Sequence, residues 1–408
     1  MKLYDYQQEI VDKAVPILKD NGLVYLALYQ RTGKTPISLS VANMIVESRV
    51  LFVTKKKAIS SIEQDFEKLG FKYELDVINY ESLHKVKKSY PLVIVDEAHS
   101  SISGFPKPSK SFKLLRNIAF ESKIIFLSGT PTPESYSQLF HQLAISKHSP
   151  FSNYASFYKW SKKYVDVVQE RRGLYMVNDY SKAKEDLIKE KTKHLFLTKT
   201  QKEAGFECII KEKFITATMK PTTIKMFKDL TKDRVIFLDD GEIVADTPAK
   251  LSQKLHQLSG GTIKLEDGTR RILDDSKALA IKEQFKSKSK IVIFYKFIAE
   301  REMLENTFAG EHTSCPDEFR DSDKRVFLAQ YVSGREGINL STADDIIFYN
   351  LDFSAVSYFQ ARERVSTKQK QHATYLWWIF SNTGFEKKVH SALSSKKDFT
   401  IKYYLKDM

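Results

Sequence analysis

The chain has 408 residues, 42% of them hydrophobic, which is enough for about two to three domains with buried cores. Lysine and arginine outnumber aspartate and glutamate by 65 to 51, and the net charge of +14 favours a polyanionic partner, nucleic acid before a membrane. Two distant cysteines, Cys208 and Cys315, argue against a disulfide framework and a structural zinc site and fit a reducing compartment, and no run approaches the roughly 18 apolar residues of a membrane span.

Residues 1–145 alternate strand-like and helix-like segments. The apolar, β-branched runs that predict buried strands are 23–28, 50–54, 75–79, 92–95 and 123–127. Amphipathic helical patterns lie between them, as at 35–47 and 60–69. This βαβ series predicts an α/β fold with a doubly wound parallel sheet, and such sheets bind ligands outside the carboxyl ends of their strands.

The first strand leads through a short loop into Gly33, Lys34 and Thr35, which open a helix. Strand, loop and Gly-Lys-Thr in this order are typical of a phosphate-binding loop. We expect Lys34 to reach the β and γ phosphates of ATP, and Thr35 to hold Mg²⁺. Alone, the triplet is equally compatible with an ordinary helix N-terminus, because Leu28 replaces the usual first glycine of the loop.

An Asp-Glu-Ala-His tetrapeptide begins at Asp96, directly after the apolar run 92–95. We expect Asp96 to hold Mg²⁺ together with Thr35, and Glu97 to polarise the attacking water. The tetrapeptide alone could also be a solvated turn. Because both motifs occur in the correct order and each follows a strand, together they predict a nucleoside triphosphatase.

The pattern changes after residue 145. Residues 146–194 mix aromatic side chains with basic pairs and predict a mostly helical connector. Residues 195–408 form a second α/β series, whose clearest strands are 291–295, 325–329 and 346–349. Three glycine-containing pairs predict hairpins of a small β insert near 235–273. They are Asp240-Gly241, Gly260-Gly261 and Asp267-Gly268.

The remaining motifs follow the order found in superfamily 2 helicases. The chain resembles their Swi/Snf-like branch and the phage-type DEAH-box helicases. The matching segments are 4–7, 52–55, 79–81, 127–131, 333–340 and 360–364. The resemblance spans nearly the whole chain and implies two RecA-like domains.

The resemblance also implies which residues contact the nucleotide. Tyr6 and Gln7 match the motif that reads adenine. Other residues are expected to contact the nucleotide because they lie in the phosphate loop or in the second-half motif, and these are Arg31, Thr32, Gly33 and Gly337. The Swi/Snf-like branch usually has Gly-Leu in place of Arg31 and Thr32, so this loop would be stiffer.

Gln360 and Arg364 resemble the final arginine motif of the family. Arg364 is therefore the candidate arginine finger, and both residues are assigned to catalysis. Thr367 stands where the Swi/Snf-like pattern usually has a second arginine, and Arg362 is the reserve candidate for the finger.

The same resemblance places Thr54, Lys55, Tyr80 and Ser333 against a nucleic-acid backbone, although residues of these types are also common in ordinary loops. It implies an ATP-dependent DNA helicase or translocase that remodels or branch-migrates forked or branched DNA in replication, recombination or repair. Two alternatives stay open: an RNA-dependent ATPase, and a nucleic-acid-binding scaffold with an inactive nucleotide site.

The sequence also predicts the source of the protein, its cellular location and its oligomeric state. A length with little beyond two domains and a lysine-rich surface favour a bacteriophage or mobile-element protein. The N-terminus has no apolar signal core, which predicts a cytoplasmic protein, in the host cell if it is phage-encoded. No membrane partner is expected, and a monomer is favoured.

Overall fold

The computed structural model describes residues 1–29, 32–46, 48–172, 175–200, 203, 210–238, 241–288, 290–330, 342–343, 345–350 and 374–391. The chain divides into two compact units, Met1–Gly205 and Phe206–Met408. Each unit is built around its own six-stranded sheet.

The first unit contains eight strands in its described part. They are β1 Leu23–Leu28, β2 Arg49–Thr54, β3 Glu74–Asn79, β4 Leu92–Asp96, β5 Lys123–Leu127, β6 Val168–Arg172, β7 Tyr175–Asp179 and β8 Phe196–Lys199. The helices of this unit are α1 Asp5–Asn21, α2 Lys34–Asn43, α3 Ile59–Leu69, α4 Ala98–Ser101, α5 Lys110–Ala119, α6 Leu139–Leu143, α7 Phe157–Tyr164 and α8 Glu185–Thr192.

The main sheet has the order β3-β2-β4-β5-β1-β8, and every pairing in it is parallel. All five strands predicted for residues 1–145 belong to it. Strands β1 and β4 are almost wholly apolar because helices cover both faces of the sheet. The predicted doubly wound parallel sheet is therefore confirmed.

Two apolar layers enclose this sheet. One layer is formed by α1, α2 and α3 with side chains such as Val11, Leu39 and Ile62. The opposite layer includes Leu115 of α5 and Trp160 of α7. Because all strands run parallel, their carboxyl ends lie at one edge of the sheet, where a ligand can approach between the layers.

The segment 146–194 packs into the first unit. It contains the expected helices α7 and α8, together with a hairpin of β6 and β7 that the sequence did not predict. Most of its aromatic side chains pack in the core: Trp160 is fully buried, and its ring lies 5.2 Å from that of Phe140. Tyr158 and Tyr175 are exposed.

Strand β8 also belongs to the first unit, although the sequence assigned residues from 195 onward to the second domain. It pairs with β1, and the rings of Tyr25 and Phe196 stack at 4.5 Å. The structure consequently divides after Gly205. Strand β8 follows α8 and has only 4 residues, and its pattern alone did not show which sheet it joins.

The described part of the second unit contains ten strands. They are β9 Ile210–Ala217, β10 Val235–Leu238, β11 Gly241–Val244, β12 Thr262–Lys264, β13 Arg270–Ile272, β14 Ile291–Tyr295, β15 His312–Thr313, β16 Val326–Gln330, β17 Asp345–Phe348 and β18 Thr374–Ser381. Its named helices are α9 Pro221–Asp233, α10 Pro248–Ser259, α11 Ser276–Gln284, α12 Ile298–Thr307 and α13 Pro316–Asp321.

The second sheet has the order β15-β16-β14-β17-β18-β9, again with parallel pairings throughout. The three strands predicted for this half are its centre, and the two RecA-like sheets expected from the sequence are confirmed. Across the residues that the structure describes, no helix is both long and apolar enough to cross a membrane.

The predicted β insert consists of two hairpins, β10–β11 and β12–β13, with α10 between them. The pair Asp267-Gly268 lies in the turn of the second hairpin, as predicted. The pair Gly260-Gly261 does not form a hairpin, because it ends α10. Gly261 has φ +81°, and a Cβ there would lie 2.0 Å from the backbone oxygen of Asp274, so the position requires glycine for the helix exit.

Candidate functional site

The phosphate-loop motif and the acidic motif lie at the same edge of the first sheet. Strand β5 stands between β1 and β4, with Leu127 in register with Leu26 on one side and Asp96 on the other. The loop after β1 and the acidic pair after β4 are therefore separated by a single strand, as a shared ligand site at the carboxyl edge requires.

Gly33 is the residue that shapes the start of α2. Its φ of +81° is left-handed, and a Cβ there would lie 2.1 Å from Nε2 of Gln7. Within α2, the amide of Ile37 donates to the carbonyl of Gly33, so the amides of Lys34 and Thr35 precede the helical hydrogen-bond ladder. These two amides and the helix dipole suit an anion such as a phosphate group.

Two residues of α1 form hydrogen bonds with the loop that precedes α2. The hydroxyl of Tyr6 donates to the carbonyl of Thr32 at 3.0 Å, and Nε2 of Gln7 donates to the same carbonyl at 3.1 Å. The side-chain oxygen Oε1 of Gln7 accepts from the backbone amide of Tyr4 at 3.0 Å. The resemblance predicts adenine contacts for Tyr6 and Gln7; the structure adds that both residues fix the backbone of the loop before α2.

Lys34 connects the loop to the end of β1. Its Nζ donates to the backbone carbonyls of Leu28 and Tyr29, at 3.2 Å and 3.4 Å. Burial raises the pKa of the Asp96 carboxyl, and the positive charge of Lys34 opposes this effect. A cation in this position can neutralise phosphate charge beside an acidic metal ligand.

Asp96 is half-buried at the end of β4. Burial raises the pKa of its carboxyl to about 7, and repulsion by Glu97 adds to this effect. Hydrogen bonds from the Thr54 hydroxyl, at 2.8 Å, and from the Glu97 amide act in the opposite direction. A divalent cation would likewise favour the ionised carboxylate.

Thr35 and Asp96 fit a metal ion that arrives with a nucleotide. Within the described ranges, no group of three or more His, Cys, Asp or Glu side chains could hold a metal ion by itself. Mg²⁺ commonly takes one or two protein ligands and completes its shell with phosphate oxygens and water. The donor set at this edge therefore suits Mg²⁺ bound with ATP.

Glu97 has an unusual backbone conformation. Its φ is +50°, in the left-handed region that glycine favours, and it directly precedes α4. Holding a glutamate in this region costs on the order of 1–3 kcal/mol, and such strain concentrates at functional sites. The conformation turns the chain sharply after Asp96, so that adjacent carboxylates can serve separate roles.

A polar chain links Glu97 to the end of β5. Nδ1 of His99 lies 3.3 Å from Oε2 of Glu97 and 2.8 Å from Oγ of Ser128. The Ser128 hydroxyl in turn accepts from the amide of Thr130 at 3.0 Å. Both motifs are recognisable in the sequence, but the contact between His99 and Ser128 is not. The adjacency of β4 and β5 was the signal that could have revealed it.

Two predicted nucleic-acid contacts are buried beside Asp96. Thr54 has no exposed surface, and Tyr80 is 5% exposed. The Tyr80 hydroxyl donates to the backbone carbonyl of Asp96, and burial raises the pKa of this phenol well above its usual range. Lys55, by contrast, is partly exposed. In this structure, the Thr54 and Tyr80 hydroxyls are directed at the acidic motif.

Several predicted site residues lie outside the described part of the chain, and nothing in the structure bears on their roles. They are Arg31, Ser333, Gly337, Gln360, Arg362 and Arg364. The geometry reported for the site consequently comes from the first unit alone.

The Glu97→Gln variant should separate nucleotide binding from hydrolysis. We expect it to bind ATP and Mg²⁺ through Lys34, Thr35 and Asp96, because glutamine preserves the side-chain size. Hydrolysis should fall by about 10²-fold or more, since an amide cannot accept the proton of the attacking water. Equilibrium binding of a fluorescent ATP analogue and single-turnover hydrolysis would measure the two effects.

The matched control is Glu121→Gln, which removes an exposed carboxylate elsewhere in the first unit and should leave both measurements unchanged. Loss of ATP binding in Glu97→Gln would show that Glu97 holds the ligand and does not act as the base.

No protein-family model matches the chain. A Chromodomain-helicase-DNA-binding protein 8 from Xenopus tropicalis is 23% identical over 398 residues, covering 88% of this chain and 18% of that protein. A "SWI/SNF-related matrix-associated actin-dependent regulator of chromatin subfamily A-like protein 1 homolog" from Caenorhabditis elegans is 22% identical over 341 residues, covering 80% of this chain and 47% of that protein. The chain thus spans less than half the length of either curated relative.

Among solved structures, the "Sulfolobus solfataricus SWI2/SNF2 ATPase core in complex with dsDNA" aligns with a TM-score of 0.43 and 18% identity. The alignment covers 98% of this chain and 92% of that one. The two curated relatives agree with the expected resemblance to the Swi/Snf-like branch.

Proposed function

We propose that this protein is an ATP-dependent DNA helicase or translocase that couples ATP hydrolysis to movement on DNA. The observation that carries the proposal is the placement of Gly33 and Lys34 at the start of α2 and of Asp96 and Glu97 at the end of β4, one strand apart at the same edge of the first sheet. The names of the two curated relatives, one a helicase-DNA-binding protein and one SWI/SNF-related, support an activity on DNA.

Bound ATP and Mg²⁺ would supply a phosphoryl group for transfer to water. Lys34 and the first amides of α2 would hold phosphate oxygens and offset their charge. Thr35 and Asp96 would hold the metal ion, and Glu97 would accept the proton of the attacking water. The contact of His99 with both Glu97 and Ser128 would keep the Glu97 carboxylate oriented.

We further propose forked or branched DNA as the substrate, with remodelling or branch migration in replication, recombination or repair as the outcome. Lys55 and Ser333 are proposed to contact the DNA backbone. A bacteriophage or mobile-element origin is also proposed and rests on the lysine-rich composition. A cytoplasmic location, which the two distant cysteines favour, and a monomeric state complete the proposal. The second candidate, an RNA-dependent ATPase, would use the same first-unit site with a different polyanion.

ATP hydrolysis measured without nucleic acid and with duplex DNA, forked DNA, a four-way junction or RNA tests the proposal. We expect DNA to stimulate turnover, and forks or junctions to stimulate it most. Stimulation by RNA alone would support the second candidate. Absence of hydrolysis under every condition would indicate a binding scaffold and overturn the enzymatic proposal.

DNA affinity should fall steeply with salt concentration. The surplus of 65 basic over 51 acidic residues would act through neutralisation of phosphates and release of counterions. The logarithm of the association constant should therefore fall linearly with the logarithm of the salt concentration, as fluorescence anisotropy with a labelled duplex can measure. A slope near zero would contradict a groove that follows the DNA backbone.

A further inference from the structure

The ends of β2 and β3 place two buried hydroxyl groups around Asp96. Val53 is in register with Val95, so Thr54 and Asp96 are the next residues on adjacent strands. The Thr54 hydroxyl donates to Oδ2 of Asp96 at 2.8 Å. Tyr80 directly follows β3, and its hydroxyl donates to the backbone carbonyl of Asp96. One residue thus fixes the carboxylate and the other fixes the peptide group.

We infer that Thr54 and Tyr80 are positioning residues for the metal-binding carboxylate, and that neither contacts DNA directly. This inference rests on the proposed function, in which Asp96 holds Mg²⁺. Both hydroxyls are enclosed by protein and directed at Asp96, whereas a DNA backbone needs donors at the surface. Partners that orient a metal ligand commonly affect metal affinity by about 10- to 100-fold.

The consecutive residues Thr54 and Lys55 have different environments at the end of β2. Thr54 is buried against Asp96, while Lys55 is partly exposed at the end of β2. Asn79, the register partner of Thr54, immediately precedes Tyr80. A DNA backbone that binds Lys55 would therefore contact the ends of β2 and β3. The adjacent side chains there, Thr54 and Tyr80, form hydrogen bonds with Asp96. Contact with DNA and the position of Asp96 would be linked through β2 and β3.

Thr54→Val and Tyr80→Phe test the inference because each removes a hydroxyl and preserves the shape of the side chain. Two matched controls remove buried hydroxyls that donate to backbone carbonyls of residues other than Asp96. They are Thr192→Val, whose hydroxyl bonds Ile188, and Tyr73→Phe, whose hydroxyl bonds Leu39. Thr54→Ser retains the donor and serves as the conservative rescue.

The first measurement is Mn²⁺ binding in the presence of a non-hydrolysable ATP analogue, detected by electron paramagnetic resonance. The second is binding of labelled duplex DNA without nucleotide. We expect Thr54→Val and Tyr80→Phe to weaken Mn²⁺ binding by about 10- to 100-fold and to leave DNA affinity within about twofold. The controls should retain wild-type Mn²⁺ affinity, and Thr54→Ser should restore most of it.

Loss of DNA affinity with unchanged Mn²⁺ binding would overturn the inference and return both residues to the DNA surface. An equal loss of Mn²⁺ binding in the two controls would also overturn it, because the effect would then reflect general packing. If Thr54→Val does not fold, Tyr80→Phe decides the result. Failure of the wild-type protein to bind Mn²⁺ with the ATP analogue would instead refute the proposed nucleotide site.

Discussion

The Lys34→Ala variant should lose ATP hydrolysis while remaining folded. Lys34 lies at the N-terminus of α2, and its Nζ donates to the backbone carbonyls of Leu28 and Tyr29. Its removal therefore takes little packing from the core. The loss of its charge should leave the phosphates without their main side-chain cation. Steady-state hydrolysis and thermal unfolding of the same preparation would measure activity and folding together.

Lys13→Ala is the matched control for the removal of one lysine. Lys13 forms an exposed ion pair with Glu9 on α1, and such surface pairs contribute little to stability. This variant should hydrolyse ATP as the wild type does. If Lys34→Ala kept more than about a tenth of wild-type turnover, the assignment of the phosphate loop would be wrong.

The Arg364→Ala variant should reduce turnover by about 10³- to 10⁵-fold, the range typical of arginine fingers. By its resemblance to the final arginine motif, Arg364 supplies a cation to the charge that develops on the transferring phosphoryl group. Because this charge grows in the transition state, ATP affinity should change by no more than several-fold. Single-turnover hydrolysis and equilibrium binding of an ATP analogue would separate the two quantities.

Arg362→Ala is the matched comparison within the same segment. If a helix begins near residue 354, Gln360 and Arg364 are four residues apart and share one face, whereas Arg362 points elsewhere. Arg362→Ala should therefore have a much smaller effect on turnover. A greater loss in Arg362→Ala than in Arg364→Ala would show that the finger and the helical register are both misassigned.

Much of the sheet architecture could be predicted from local sequence. The runs 23–28 and 123–127 match β1 and β5 at both ends. Parallel strands covered by helices on both faces need continuous apolar sequence, and turns or charged residues bound that sequence sharply. The order of the phosphate-loop motif and the acidic motif then indicated which sheet edge binds the ligand, because parallel strands present their carboxyl ends together.

The assignment of residues between the two sheets depended on tertiary packing. Trp160 and Phe196 have no sequence signal that directs them to the first unit, since aromatic residues occur equally in cores and on nucleic-acid surfaces. Their partners, Phe140 and Tyr25, are distant in sequence. Only the folded chain shows that these rings pack together and that the first unit extends to Gly205.

For Thr54 and Tyr80 in the site, the sequence likewise determined one property and the tertiary structure another. Their sequence alone determined that both stand at the ends of strands, because the apolar runs before them end there. Whether such a side chain faces solvent or a neighbouring strand depends on strand order and register. The pairing of β2 with both β3 and β4 directs both hydroxyls to Asp96, and this arrangement exists only in the assembled sheet.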